Sequence, residues 1–482
     1  MEYKWKVLTN TTVATLMSAI DSNIVLISLP TIGRQLPGTT APLLLWILLG
    51  YSLVTAVVLL NFGRLSDMFG RVRLYVLGFA VFTAGSALCG FSQTGLELVL
   101  FRLVQAIGAG FLFSNSAAII TDAFPPNERG RALGVNQVSI VAGAVAGLVL
   151  GGIITSTVGW RWIFFVNVPI GIVATLRAHA ELKEIARPET TARVDWLGNI
   201  VFAAGLTLLL VGVTLGALGQ LAGRSAIVTV VLGLALLGAF VLIELRERSP
   251  MLDLTLFRNR QFASSALATL LNALARGAFT FILVFYLQGP PRYLGPLTAG
   301  LFLVPVSASL AIFGPVSGWL SDRFGPRPFL LAGLLVSASG FLWLSTIGPD
   351  ESFAQLAGPL VLVGAGMGLF AAPNRAAMMT AVPPQRRGVA SGIGVTFVNT
   401  GATISLGITL VIMSGVLSRP EIQAIFLGTA SAGMPFVAGA KFLEAIHWIF
   451  LASTALILAA LVPSVLRGKS PPAPAGPPRD AD

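Results

Sequence analysis

Long apolar stretches separated by short polar gaps fill almost the whole chain. Fourteen of them have the length of roughly 20 residues that an α-helix needs to cross a hydrocarbon core. They lie at about 7–30, 43–62, 74–92, 97–120, 134–157, 162–178, 197–216, 225–244, 263–288, 297–317, 329–347, 355–378, 389–415 and 446–466. The pattern predicts an all-α integral membrane protein. The first run opens near Val7, so no cleavable signal peptide, with its charged segment and small-residue cleavage site, is expected ahead of it.

Two of the polar gaps carry the same text. Residues 63–70 read GRLSDMFG and residues 318–325 read GWLSDRFG, a separation of 255 residues. Further on, GAGFLF at 108–113 parallels GMGLFA at 366–371, and FPPNERG at 124–130 parallels VPPQRRG at 382–388, both at a separation of 258. Duplicated membrane bundles of this kind are a common plan of secondary transporters, whose binding site lies between the halves. Six helices with short loops do not fill 255 residues, and the runs at 197–216 and 225–244 have no counterpart elsewhere. The chain therefore divides into a six-helix bundle (1–178), a linker with two extra transmembrane helices (179–262), and a second six-helix bundle (263–466). The Pro-rich end (467–482) cannot bury apolar surface and is expected to be disordered.

Composition agrees: 55% of residues are hydrophobic and 11% charged, against roughly 25% charged in a soluble domain. The net charge of +11 would suit nucleic acid if it were clustered on a soluble face, but its distribution is that of a topology signal. With the N-terminus placed inside, 22 Lys and Arg fall on the inner side and 6 on the outer, leaving Arg102, Arg276 and Arg375 within spans. Both termini are thus expected in the cytoplasm, in a multi-pass protein of the cell membrane that binds no nucleic acid. Trp5, Trp160, Trp162, Trp196, Trp319 and Trp448 fall near span ends, as interfacial aromatics should. Cys89, His179 and His447 have no metal-ligand spacing, so no metal is expected. Neither a Walker loop nor HExxH occurs, and the chain reads as neither an ATPase nor an enzyme.

Asp21 is the one acidic residue deep in a predicted span. A carboxylate there costs roughly 2.5–3.5 kcal/mol on insertion scales, so it is expected to face a cavity and have a partner. Its helix face carries Thr11, Ala14, Ser18, Val25 and Ser28, a small and polar stripe. A change in its surroundings between two states of access would let it take up and release a proton; a static ion pair is the alternative. Arg102 shares a face with Gln105, and its depth differs from that of Asp21 by about 6 Å, within reach of a long side chain. It could equally snorkel to the outer headgroups. Adding the 255-residue repeat to Asp21 reaches Arg276, so the two charges are expected in equivalent places across one cavity, with Asn272 one turn away. Arg276 would pair with Asp21, hold an anionic group of a substrate, or cap local carbonyls. Asn399 is a candidate for a polar contact in the cavity or a helix-packing hydrogen bond.

The segments LMSAIDSNIVLISLP, GRLSDMFGRVR with its copy GWLSDRFGPR, RLVQAIGAG, VAGAVAGLVLGG and WRWIFFVNVPIG together resemble the major facilitator superfamily, specifically its fourteen-span drug/proton antiporter branch. The resemblance covers about 7–466. It implies a coupling role for Asp21 and Arg102. It also implies a cytoplasmic latch at the repeated loops, where Gly63, Asp67, Gly70, Arg71, Gly318, Asp322 and Gly325 are expected to form tight hairpins. Gly143, Gly147, Gly151 and Gly152 suit close helix packing. Family antiporters carry Gly-Pro where this chain has Gly147-Leu148.

The expected function is export of a hydrophobic or amphiphilic compound by proton antiport through alternating access. The proton is the coupling ion, no other cofactor takes part, and the protein acts as a monomer in the lipid bilayer. An exporter of anionic lipids or metabolites, favoured by Arg102 and Arg276, is the rival, and a non-transporting membrane sensor is the alternative of another class.

Overall fold

The polar gaps end one helix and open the next. In the first bundle they delimit α1 (Tyr3–Gln35), α2 (Ala41–Phe69), α3 (Arg71–Phe91), α4 (Gly95–Ala123), α5 (Arg129–Thr157), α6 (Trp162–Phe165) and α7 (Asn167–Glu181). Two helices follow, α8 (Trp196–Ala217) and α9 (Gly223–Glu244). The second bundle holds α10 (Arg260–Arg276), α11 (Phe279–Gln288), α12 (Pro296–Phe324), α13 (Pro326–Leu344), α14 (Phe353–Thr380), α15 (Arg387–Val416), α16 (Arg419–Leu427) and α17 (Phe436–Leu466). This computed structural model describes residues 2–125, 128–185, 195–247, 250, 252–290, 292–383, 386–428 and 436–467, without the side chains at 60, 67, 322, 387 and 436–438. The side chains of Asp67 and Asp322 and the tail beyond Arg467 thus lie outside the described residues. Among the described residues, fourteen spans are long and apolar enough to cross a membrane, with α6 and α7 forming one of them and α10 and α11 another.

The helices overrun the apolar windows that predicted them. α1 has 33 residues, about 50 Å at 1.5 Å per residue, more than a hydrocarbon core requires. The overrun corrects one expectation. Gly63 and Gly318 are not turn residues: α2 and α12 continue through them to Phe69 and Phe324. The turns rest on Gly70 (φ 102°) and Gly325 (φ 80°), in the backbone region that glycine tolerates best. Trp160, expected at an interface, is buried, with the Arg161 guanidinium over its ring.

Glycines set the helix crossings, and the crossings repeat. A Cβ on Gly143 would stand 2.8 Å from Leu16 O and Ala19 Cβ and 3.3 Å from Ile20 N. In the second bundle one on Gly401 would meet Ala273 Cβ at 2.7 Å, Leu270 O at 3.2 Å and Leu274 N at 3.3 Å. The α1–α5 crossing is thus repeated as α10–α15. Gly78 against Gly108 likewise recurs as Gly333 against Gly366. Gly147 and Gly151 extend the α1 contact, standing against Ile20 and Ile24. These close approaches leave no room for side chains.

Gly152 faces the other way, toward the second bundle. A Cβ there would lie 2.7 Å from Leu297 Cα, and one on Gly300 would lie 2.5 Å from Leu148 O. Around this contact, at the end of the bundle away from the termini, Gln288 Nε2 donates to Ile27 O at 2.7 Å, and the main chain of α16 closes on Gly33. That end is sealed. Near the termini, the halves are instead bridged by a long side-chain contact, Arg375 Nη1 to Gln137 Oε1 at 2.9 Å, between two exposed residues.

A leucine at Gly300 must push α5 and α12 apart, at about 1–3 kcal/mol for overpacking. In a Cys89→Ala background, Ile27→Cys is expected to react faster with a membrane-impermeant maleimide from the sealed side once Gly300→Leu is added. Unchanged labelling would mean that this contact does not hold the seal.

Candidate functional site

Asp21 lies in α1 with no exposed surface, and Arg102, in α4, is 1% exposed. Arg102 Nη1 donates to Asp21 Oδ2 at 2.6 Å and to Gln105 Oε1 at 2.7 Å. Gln105 Nε2 donates to Asp21 Oδ1 at 2.8 Å, and Asn167 Nδ2 donates to the same oxygen at 2.9 Å. Asn167 also reaches Ser86 Oγ at 3.2 Å, and the guanidinium stands over the Tyr51 ring, 4.1 Å from its centroid. Each carboxylate oxygen is therefore satisfied, as a buried charge requires. Arg102 does not snorkel; the ion pair at 2.6 Å replaces the headgroup contact. Gln105 follows Arg102 by three residues on one helix face, which lets α4 present both donors to α1 together. Asn167 was not anticipated. It opens α7 just past the break at Val166, with Pro169 in the first turn, and the broken helix aims its amide inward.

The second bundle does not repeat this network. The duplicated contacts pair Leu16 with Leu270, Ala19 with Ala273 and Ile20 with Leu274, each 254 residues apart. Asp21 therefore corresponds to Ala275, and Arg276 to Ser22. This corrects the expected equivalence: the helices are offset by one residue from the loops, which turns Arg276 by about 100° from the direction Asp21 takes. Across the 258-residue offset of α4 and α14, Arg102 and Gln105 correspond to Leu360 and Val363, both buried. Arg276 makes no ion pair with Asp21, and its Nε is buried without a hydrogen-bond partner. Asn272 is also buried, with Nδ2 unpartnered. Asn399 is half-buried on α15, where its main-chain carbonyl accepts Thr403 Oγ1 at 2.7 Å.

At the repeated loop, Arg71 Nη1 pairs with Asp122 at the end of α4 at 2.8 Å. Glu184 accepts the main-chain N–H groups of Arg71 at 2.8 Å and Val72 at 3.0 Å, placing a carboxylate on the α3 N-terminus, where the helix dipole favours it. Neither acid had been singled out from the sequence.

Comparison with known proteins decides the family. The model of the Major Facilitator Superfamily matches residues 11–243 and 265–482, one segment per half. The chain belongs to the major facilitator superfamily. It is a transporter of that superfamily, with its two six-helix bundles and two additional helices. It is 32% identical to the riboflavin transporter RibZ of Clostridioides difficile over 80% of this chain and 83% of that protein. It is 34% identical to the multidrug resistance protein Stp of Mycobacterium tuberculosis over 83% of this chain and 74% of that one. Among solved structures, a bacterial homolog of the human lysosomal transporter Spinster superposes with a TM-score of 0.69 at 17% identity, covering 97% of both chains. That likeness concerns the fold.

Proposed function

We propose that this superfamily member exports a hydrophobic or amphiphilic compound from the cell in exchange for protons, by alternating access, with Asp21 as the proton carrier. The observation that carries the reading is the isolation of one ion pair in one half. Asp21, Arg102, Gln105 and Asn167 form a closed network, while the positions equivalent to Asp21, Arg102 and Gln105 in the other half are Ala275, Leu360 and Val363, all apolar. Proton handling then belongs to the first bundle and leaves the second to the cargo. The seal supplies the coupling. Gln288 grips α1 at Ile27, six residues beyond Asp21, or about 9 Å along the helix. Opening that end frees α1 just above the carboxylate and admits water toward it, so a proton can take the place of Arg102 on Asp21. Reclosing restores the ion pair and returns the proton to the other side.

Relatives named as multidrug resistance proteins support export of a small apolar molecule. The excess of Lys and Arg on the terminal side supports the cell membrane with both termini in the cytoplasm, which puts the end closed by Gln288 and α16 outside. The test is purified protein in liposomes under an imposed pH gradient. Flux of a lipophilic compound should reverse with the sign of the gradient, and adding the compound should move protons. Substrate flux indifferent to the gradient, with no proton movement, would reject antiport, and a membrane sensor would give neither.

A further inference from the structure

Two guanidinium groups of the second bundle, those of Arg276 and Arg375, have no anionic partner among the described residues, and Arg375 reaches across to the first bundle. Arg375, near the terminal end of α14, is exposed and donates across the gap to the neutral Gln137 of α5 at 2.9 Å. Its neighbour Asn374 fixes its level, donating to Ser265 O at 3.1 Å and Thr269 Oγ1 at 2.8 Å on α10. Arg276 lies seven residues beyond Thr269 on that helix, about 10 Å deeper. Arg276 Nε and Asn272 Nδ2, one turn apart on α10, are buried donors with no acceptor. Asp21 offers no compensation, because Arg102 already neutralises it. The first bundle has Ser22 where the second has Arg276, so the positive face belongs to one half alone.

Unpaired guanidinium groups are expensive inside a membrane protein and mark a ligand path. We propose that Arg276 and Arg375 form the cargo site for an anionic group, so that the exported amphiphile carries a carboxylate or a comparable anion. Arg375 meets it near the cytoplasmic mouth, and Arg276, with Asn272, holds it at depth. Guanidinium suits the role because its planar fork gives paired hydrogen bonds to a carboxylate. The inference rests on the transport reading above and narrows its substrate class. Lipophilic cations are then expected to be poor cargo, because both groups repel them.

The test is equilibrium binding to the purified full chain in nanodiscs, using dansyl-labelled undecanoate and its primary amide. The carboxylate is expected to bind about tenfold more tightly than the amide. Arg276→Gln or Arg375→Gln should bring that preference to within about twofold, while Arg276→Lys should keep most of it. Equal binding of carboxylate and amide by the wild type would overturn the proposal, as would a preference that survives both glutamine substitutions. The wild-type ratio decides even if a variant fails to fold. Proton-coupled transport of tetraphenylphosphonium without carboxylate preference would sink this inference and leave the antiport reading standing. Loss of all substrate-dependent proton movement would instead strike the antiport reading.

Discussion

Asp21→Asn is expected to reduce accumulation driven by a pH gradient to the level of protein-free vesicles, while downhill equilibration of the same compound continues. The wild-type carboxylate spreads three hydrogen bonds over two oxygens, from Arg102, Gln105 and Asn167. Asparagine has one acceptor oxygen and carries no proton to exchange. At least one donor then loses its acceptor, and the Arg102 guanidinium is left without a counter-charge. Cargo can still cross, because the proposed anion site lies in the other bundle. The comparison of accumulation with equilibration therefore separates coupling from folding. Among the described residues, Asp195 and Glu244 are the other buried acids outside the core network. They sit at the ends of the two linking helices, where Asp195 accepts Gly198 N at 2.7 Å and Glu244 accepts Leu252 N at 2.8 Å. Those main-chain bonds give them a structural task. Full gradient-driven accumulation by the Asp21→Asn protein would remove Asp21 from the mechanism and direct attention to that pair.

Fourteen spans were legible because a hydrocarbon core imposes one length on every crossing helix. The same scarcity of charge made Asp21 and Arg102 legible, since few residues could answer a buried carboxylate and depth along the helices selected one. Arg276 shows where the reading stops. The repeat was measured on the loops at 255 residues, but the first helices of the two bundles align at 254, and a difference of one residue changes the face. Asn167 had a signal that went unused: Pro169 marks a helix start two residues earlier, inside an apparently continuous apolar run. Gly63 and Gly318 were misplaced because apolar windows report hydrocarbon thickness, whereas helices continue into water until a residue such as Gly70 ends them. The contacts of Gly152 with Leu297 and of Gly300 with Leu148 join two halves whose relative placement the sequence does not state. Arg375 stood near a span end, where an arginine ordinarily reaches headgroups, and only its bond to Gln137 shows that it points inward.

Arg102→Ala carries the largest expected cost in stability. Removing one partner of a buried ion pair typically costs about 3–5 kcal/mol, because the remaining charge stays desolvated without compensation. Here the loss is compounded. Gln105 Oε1 loses the donor it receives at 2.7 Å, and the Tyr51 ring loses the cation above it at 4.1 Å. The thermal unfolding midpoint of the detergent-solubilised protein should fall clearly, and Arg102→Lys should recover only part of the loss. A lysine ammonium can reach the carboxylate, but it lacks the planar group that stacks on Tyr51 while donating to both Asp21 and Gln105. Combining Arg102→Ala with Asp21→Asn distinguishes the cause. If the uncompensated carboxylate is the source of the instability, the double variant should unfold at a higher temperature than Arg102→Ala alone, with a coupling of roughly 0.5–3 kcal/mol. Additive losses would mean that Arg102 stabilises the bundle by packing against Tyr51 and Phe164 and not by holding the charge of Asp21.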